Sequence, residues 1–163
     1  MVKGLTADNE EAIERANASG ETWNNIYAKV ALDYKLHGSF ALEIIWSKDR
    51  TRIDVYHVDF SYLRAKEKDY RGKCPGYYVS SKWDKIGRSR TTLSDDEALY
   101  LPSYDPDKRA DEPHQIYVHK NYRPGQVYYP LPDYVGAYRV IELDAEIDNF
   151  HTNNIKNGLA PSL

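Results

Sequence analysis

Apolar and polar residues change their spacing several times along the chain, and each change marks a new predicted element. Across residues 21–37 apolar positions recur every three or four residues, which predicts a helix with one buried face. Gly38 follows it, as a left-handed residue past a helix end should. We expect the buried face of this helix to consist of Trp23, Ile26, Tyr27, Val30, Ala31 and Tyr34.

A weaker helical pattern comes first. Thr6 can cap a helix whose first turn is acidic, and Gly20 marks the predicted end of that helix. Only Ala12, Ile13 and Ala16 are apolar at useful spacing. We therefore expect this helix to fray, or to pack against something outside the chain.

After Gly38 the period becomes that of strands. Residues 39–46 and 52–58 are rich in strand-forming residues and flank a polar turn at 48–51, which predicts an antiparallel hairpin. Three later runs, at 77–83, 98–102 and 115–119, predict further strands. Residues 59–73 are charged and mixed, residues 84–96 are expected to form a surface loop or a weak strand end, and residues 103–113 a polar linker.

The last third of the chain joins a Pro/Gly/aromatic loop to a long helical pattern. Pro124 and Gly125 predict a turn, Pro130 and Pro132 an extended loop, and Asp133 a helix N-cap. From Tyr134 onward one apolar stripe contains Val140, Leu143, Ile147 and Phe150, with acidic residues between these positions. Gly158 and Pro161 supply the predicted end of the helix.

These elements predict a single α+β unit over residues 1–163. It would contain N-terminal helices, a small, mostly antiparallel sheet built from hairpins, and a long C-terminal helix. Residues 21–121 would form a helix and a β-rich part, and residues 122–163 the loop and the long helix. A chain of 163 residues can bury one real core and is short for two ordinary domains.

Composition narrows the functional classes. The net charge of -3 gives no polybasic signature for nucleic acid, and no apolar segment approaches the length of a membrane span. Fifteen tyrosines against three phenylalanines suit half-buried strands or subunit interfaces. Cys74 is the only cysteine, which excludes an internal disulfide, and no signal peptide is evident. We expect a soluble protein that is used inside a cell.

No motif for catalysis, for a cofactor or for a metal is present. The five histidines are scattered, and no phosphate-binding glycine motif or nucleophile elbow occurs. Asp144 and Asp148 share a helix face, which favours an acidic surface stripe over acid–base catalysis. The short basic run Lys85, Arg88 and Arg90 is the best candidate for phosphate contacts, although a solvated loop is the default interpretation.

Two other functional classes stay open. A binding module, either carbohydrate-binding or tail-associated, would need a concave sheet face lined by Tyr77, Tyr78, Trp83 and Tyr100. An enzyme would need Cys74 with a histidine within hydrogen-bond reach, or a working pair of carboxylates.

The order of elements resembles the central part of the portal proteins, the head–tail connectors of tailed bacteriophages. The matching features are a helix, the hairpin beginning at Gly38, a strand that ends at His119, a tyrosine-containing loop and a long helix. The motif residues are Tyr128 and Tyr129 in the loop and Asn157, Gly158 and Pro161 at the end of the helix. Tyr128-Tyr129-Pro130 stands where many portal proteins have an aromatic–glycine pair. The resemblance spans about residues 20–163 and implies a fragment of a longer protein.

This resemblance implies a structural protein rather than an enzyme. Portal subunits form a ring, usually of twelve copies, at one capsid vertex, and double-stranded DNA passes through it without sequence specificity. The ring docks the terminase during packaging and then the tail connector, and it contacts the major capsid protein. The implied location is the virion, after assembly in the bacterial host cytoplasm, with no membrane and no cofactor.

In this interpretation the β-rich part belongs to the portal wing or body, and the long helix leads into the stem. The acidic surface of this long helix suits a channel in which DNA must slide, because strong neutralisation of phosphates would hold the DNA in place. The candidate subunit-contact or channel-side residues are Tyr138, Glu142, Asp144, Glu146 and Asp148.

Overall fold

The computed structural model describes residues 14–84 and 98–158, and the chain divides into two compact units, Met1–Leu131 and Pro132–Leu163. The predicted α+β class is confirmed: a helix near the N-terminus, antiparallel strands and a long C-terminal helix are all present. The helices and strands of the described residues are α1 (Trp23–His37), β1 (Ser39–Trp46), β2 (Ile53–Val58), β3 (Leu63–Ala65), β4 (Gly76–Val79), β5 (Leu99–Pro102), β6 (His114–Lys120) and α2 (Tyr138–Lys156).

The strands form two antiparallel sheets of three strands each. The first has the order β2–β1–β6, so the predicted β1–β2 hairpin is confirmed, and Ile44 lies opposite Val55. The second has the order β3–β4–β5. Strand β3 lies in the charged segment 59–73, for which the sequence pattern predicts no strand, because three residues are too few to show a period of two.

The main core lies between the two sheets. Ala41 and Ile116 of the first sheet are fully buried and cluster with Leu63, Tyr77 and Leu101 of the second. Burial of an aliphatic or aromatic side chain of this size contributes about 1.5–3 kcal/mol, so this cluster is a principal source of stability in the first unit. The opposite face of the first sheet, which carries Ile44 and Val55, packs against α1.

Helix α1 ends before Gly38 as its sequence predicts, and Thr22 caps its first turn. The Thr22 side chain accepts a hydrogen bond from the amide of Asn25. Gly38 takes the left-handed conformation, with φ of 68°, and its N–H donates to Tyr34 O.

The predicted buried face of α1 is partly wrong. Ile26 is buried, but Tyr27 is 60% exposed and Ala31 is also exposed. Asp33, a charged residue, is buried in their place. A hydrophobicity pattern does not predict the burial of Asp33, because the hydrogen-bond partners of Asp33 lie on other elements.

The predicted helix end at Gly20 is also wrong. Residues 1–13 lie outside the described part of the chain, and the residues that follow Glu14 form a turn closed by a bridge between Arg15 and Thr22. This turn is fixed against the edge of β2, where Val55 N–H donates to Ala16 O and Asn17 Nδ2 donates to Val55 O. Gly20, with φ of 81°, serves the turn rather than a helix end.

The second unit starts with a short 3₁₀ helix, Asp133–Ala137, which continues into α2. The predicted N-cap at Asp133 is wrong, since the capping position is Pro132 and no side chain caps the first turn. Helix α2 ends at Lys156, and Gly158 follows with φ of 60°, which agrees with the predicted end. Pro161 lies outside the described residues.

Candidate functional site

The long helix α2 presents an uncovered apolar stripe. Its members are Val140, Leu143, Ile147 and Phe150, which are 68%, 60%, 44% and 63% exposed. Their spacing of three and four residues places them along one face of the helix. None of the nineteen residues of α2 is buried. A helix with this pattern normally gains its stability by covering such a stripe.

The candidate subunit-contact or channel-side residues lie on the same helix, and the four acidic ones flank this stripe. Tyr138 is 57% exposed, and Glu142, Asp144, Glu146 and Asp148 are exposed as well. The i, i+4 spacing pairs Asp144 with Asp148 on one side of the stripe and Glu142 with Glu146 on the other. The apolar surface is therefore bordered by carboxylates on both sides.

The tyrosine loop before the helix is fastened to the second sheet. Tyr129 Oη accepts a hydrogen bond of 2.8 Å from the amide of Ala65, and its ring packs edge-on against Phe60. Tyr128 Oη accepts a longer bond of 3.4 Å from the amide of Lys68, whose ammonium lies over the Tyr128 ring. Two of the five motif residues thus hold the loop against the edge of β3.

A cluster of polar side chains occupies the end of α1. Asp33 and His37 lie one turn apart on the helix, and Asp59 follows β2. One potential ligand atom from each of the three lies within 4.8 Å of the other two. Sequence spacing alone predicts no metal site here. Asp33 and His37 nevertheless lie four residues apart on a predicted helix, which places them on one face. That spacing is the signal that could have identified two of the three residues.

Three neighbouring residues, His57, Phe60 and Ser61, hold the cluster in place. His57 Nε2 lies 2.9 Å from Asp33 Oδ2, and the Phe60 amide donates to the same oxygen at 3.1 Å. Asp59 Oδ1 accepts hydrogen bonds from the amide and the hydroxyl of Ser61. Although partial burial opposes the effect, these Ser61 bonds and the nearby imidazoles of His37 and His57 lower the pKa of Asp59.

Cys74 lies beside the core without a catalytic partner among the described residues. Its thiol donates to Gly76 O at 3.1 Å and to Lys66 O at 3.5 Å. Burial, with a smaller contribution from Cys74, raises the pKa of the Tyr77 hydroxyl far above its usual value. Lys120 lies over the Tyr77 ring, and burial lowers the pKa of its ammonium. The cysteine–histidine pair that an enzyme would need is not formed within residues 14–84 and 98–158.

The aromatic residues named for a binding module do not share one open face. Tyr77 is buried in the core, whereas Tyr78 and Tyr100 pack against each other with ring centroids 5.2 Å apart. Trp83 donates to Tyr62 O and stacks with the Arg64 guanidinium. Adjacent strand residues point to opposite faces, so Tyr77 and Tyr78 cannot line the same surface.

The remaining predictions concern the basic run and His119. Lys85, Arg88 and Arg90 lie outside the described residues. His119, expected to be structural, stacks on Phe40 with ring centroids 5.1 Å apart.

No protein-family model matches the chain, and no curated protein shows significant similarity to it. Among the described residues, neither helix has the length and hydrophobicity that crossing a bilayer requires.

Proposed function

We propose that this chain is part of a phage portal subunit, which belongs to the ring at a capsid vertex through which double-stranded DNA is packaged and ejected. The observation that carries the proposal is the uncovered apolar stripe on α2. A stripe of four large apolar side chains, each more than two-fifths exposed, needs a covering surface. In a ring, neighbouring subunits supply it.

The acidic border of the stripe supports the same function. Glu142, Asp144, Glu146 and Asp148 would keep the adjoining surface negative, so that phosphates are not bound tightly. DNA could then slide past without sequence specificity. The terminase, the tail connector and the major capsid protein are the partners that this function requires.

The order of the elements supports the proposal as well. A helix, a hairpin, a strand ending at His119, a tyrosine loop and a long helix with a glycine end follow one another in the portal order. Tyr128 and Tyr129, two of the motif residues, fasten the loop that leads into the second unit. A structural role fits this arrangement better than a Tyr/Trp-rich binding module, because Tyr77 is buried and the aromatic residues are divided between faces.

Electron microscopy of the purified full-length gene product tests the proposal. We expect rings with a central hole. Leu143→Glu combined with Ile147→Glu should prevent ring assembly, because each places a charge on the stripe. Ile141→Glu is the matched control, since Ile141 is 49% exposed on the same helix but lies outside the stripe.

Two results would contradict the proposal. One is a wild-type protein that stays monomeric at high concentration. The other is a set of rings that the double variant leaves intact. The genome provides a separate check, since terminase and capsid genes should flank a portal gene.

A further inference from the structure

Three side chains with metal-binding groups converge where α1 ends. Asp33 and His37 come from the buried side of the helix, and Asp59 comes from the segment that follows β2. Their ligand atoms lie within 4.8 Å of one another. We propose that Asp33, His37 and Asp59 bind a divalent transition-metal ion of the zinc class and so tie α1 to the first sheet.

The three ligand atoms can reach the spacing that such an ion requires through a small movement of their side chains. Zinc bonds to imidazole nitrogen and carboxylate oxygen are about 2.0–2.2 Å long, which puts the ligands of a tetrahedral site about 3.3–3.6 Å apart. Ligand atoms no more than 4.8 Å apart reach this separation through small side-chain rotations. One imidazole with two carboxylates favours zinc over Mg²⁺ and Ca²⁺, which prefer oxygen ligands alone.

The binding atoms are available. Neither ring nitrogen of His37 forms a hydrogen bond or ion pair within the described ranges, although the side chain is half-buried between two carboxylates. Asp33 is 6% exposed, and both of its hydrogen bonds fall on Oδ2. Its Oδ1 therefore has no donor in the part of the chain that the structure describes. A carboxylate oxygen without a donor can serve as a ligand for a cation.

The surroundings orient the ligands and favour positive charge. His57 and the Phe60 amide hold the Asp33 carboxylate, and Ser61 holds that of Asp59. Such outer hydrogen bonds fix the direction of metal ligands in known sites. His37 is the last residue of α1, so the ion would lie at the negative end of the helix dipole.

Titration calorimetry tests the site on the full chain after removal of metal with EDTA. We expect saturable binding of one Zn²⁺ per chain, a higher melting temperature with Zn²⁺, and a Co²⁺ absorption spectrum of low-symmetry coordination. Mg²⁺ should bind far more weakly. His37→Ala and Asp59→Asn should each weaken Zn²⁺ binding by about 100-fold or more, since loss of an outer partner alone costs about 10–100-fold. His151→Ala is the control, because His151 is exposed on α2, and it should leave binding unchanged.

Asp59→Asn keeps a side-chain oxygen that can accept from Ser61, so this variant retains the local turn. If His37→Ala does not fold, as judged by circular dichroism, Asp59→Asn decides the question. Absence of saturable Zn²⁺ binding to the wild type would overturn the proposal. Zn²⁺ affinity that is unchanged in Asp59→Asn, or equal affinity for Mg²⁺ and Zn²⁺, would also overturn it. The metal site is independent of the portal function, because none of the measurements that test the site depends on ring assembly.

Discussion

Asp33 and His57, which are 24 positions apart in the sequence, meet between α1 and β2 with 2.9 Å between Asp33 Oδ2 and His57 Nε2. Both side chains are nearly buried, at 8% and 12% exposure. A carboxylate can only accept, so the imidazole donates this bond. The contact joins the helix to the first sheet.

Replacing Asp33 should therefore destabilise the first unit. Asp33→Ala removes the acceptor for His57 and for the Phe60 amide, and each buried donor left unpaired costs about 1–3 kcal/mol. We expect a loss of at least about 2 kcal/mol in the free energy of unfolding, measured by urea denaturation. Asp111→Ala is the control, since Asp111 is exposed, and its effect should stay within about 0.5 kcal/mol. Equal effects of the two variants would show that the Asp33 contacts contribute little.

The hydroxyl of Tyr129 should contribute more to stability than the hydroxyl of Tyr128. Tyr129→Phe leaves the Ala65 amide without its 2.8 Å partner and should cost about 0.5–1.5 kcal/mol. Tyr128→Phe removes only a bond of 3.4 Å and should cost less. Hydrogen exchange at the Ala65 amide is the direct measurement, and it should accelerate in Tyr129→Phe alone. Unchanged exchange in that variant would rule out the hydrogen bond as an anchor of the loop.

Gly76 should not tolerate a side chain. A Cβ at this position would lie 2.5 Å from Leu101 O and 2.5 Å from Tyr100 Oη, so β4 or β5 would have to shift. We expect Gly76→Ala to destabilise the protein by about 1–3 kcal/mol in thermal or chemical unfolding. Gly136→Ala is the matched control, because a Cβ there meets nothing within 4 Å. A neutral Gly76→Ala would mean that the two strands separate without cost.

Asp49 should stay ionised in unusually acidic solution. Hydrogen bonds from the Ser47 hydroxyl, and then from the Thr51 hydroxyl and amide, lower its pKa from 3.8 to about 2. Because the folded-state pKa lies below the unfolded value, the stabilisation is fully present above pH 3.8 and is lost as the pH falls through about 2. Carboxyl NMR titration measures the pKa directly.

Ser47→Ala should raise the pKa of Asp49 toward its ordinary value, since it removes the largest contribution. Ser81→Ala, an exposed serine in another loop, should leave the pKa of Asp49 unchanged. A pKa of Asp49 near 3.8 in the wild-type protein would show that the turn does not hold these bonds in solution.

Local pattern was sufficient for the elements whose stabilising groups are close in sequence. Helix α1 carries its own cap at Thr22 and its own end at Gly38, and β1 and β2 are joined by a short turn. Hydrophobic period and turn chemistry are local signals, so these elements follow from the residues that form them. The three-residue β3 and the turn around Gly20 carry no such signal, because their hydrogen-bond partners, β4 and β2, are distant in the chain.

The sequence by itself determined the α+β class, the hairpin, the long C-terminal helix and its apolar stripe, because each depends on spacing within a single segment. Only the tertiary structure decided that Asp33, and not Tyr27, is buried on α1. It also decided that Asp59 lies beside Asp33 and His37. The physical reason is that a buried carboxylate is stable only when donors such as His57 and the Phe60 amide surround it. Those donors come from a separate strand and the turn that follows it, and folding brings them to the helix.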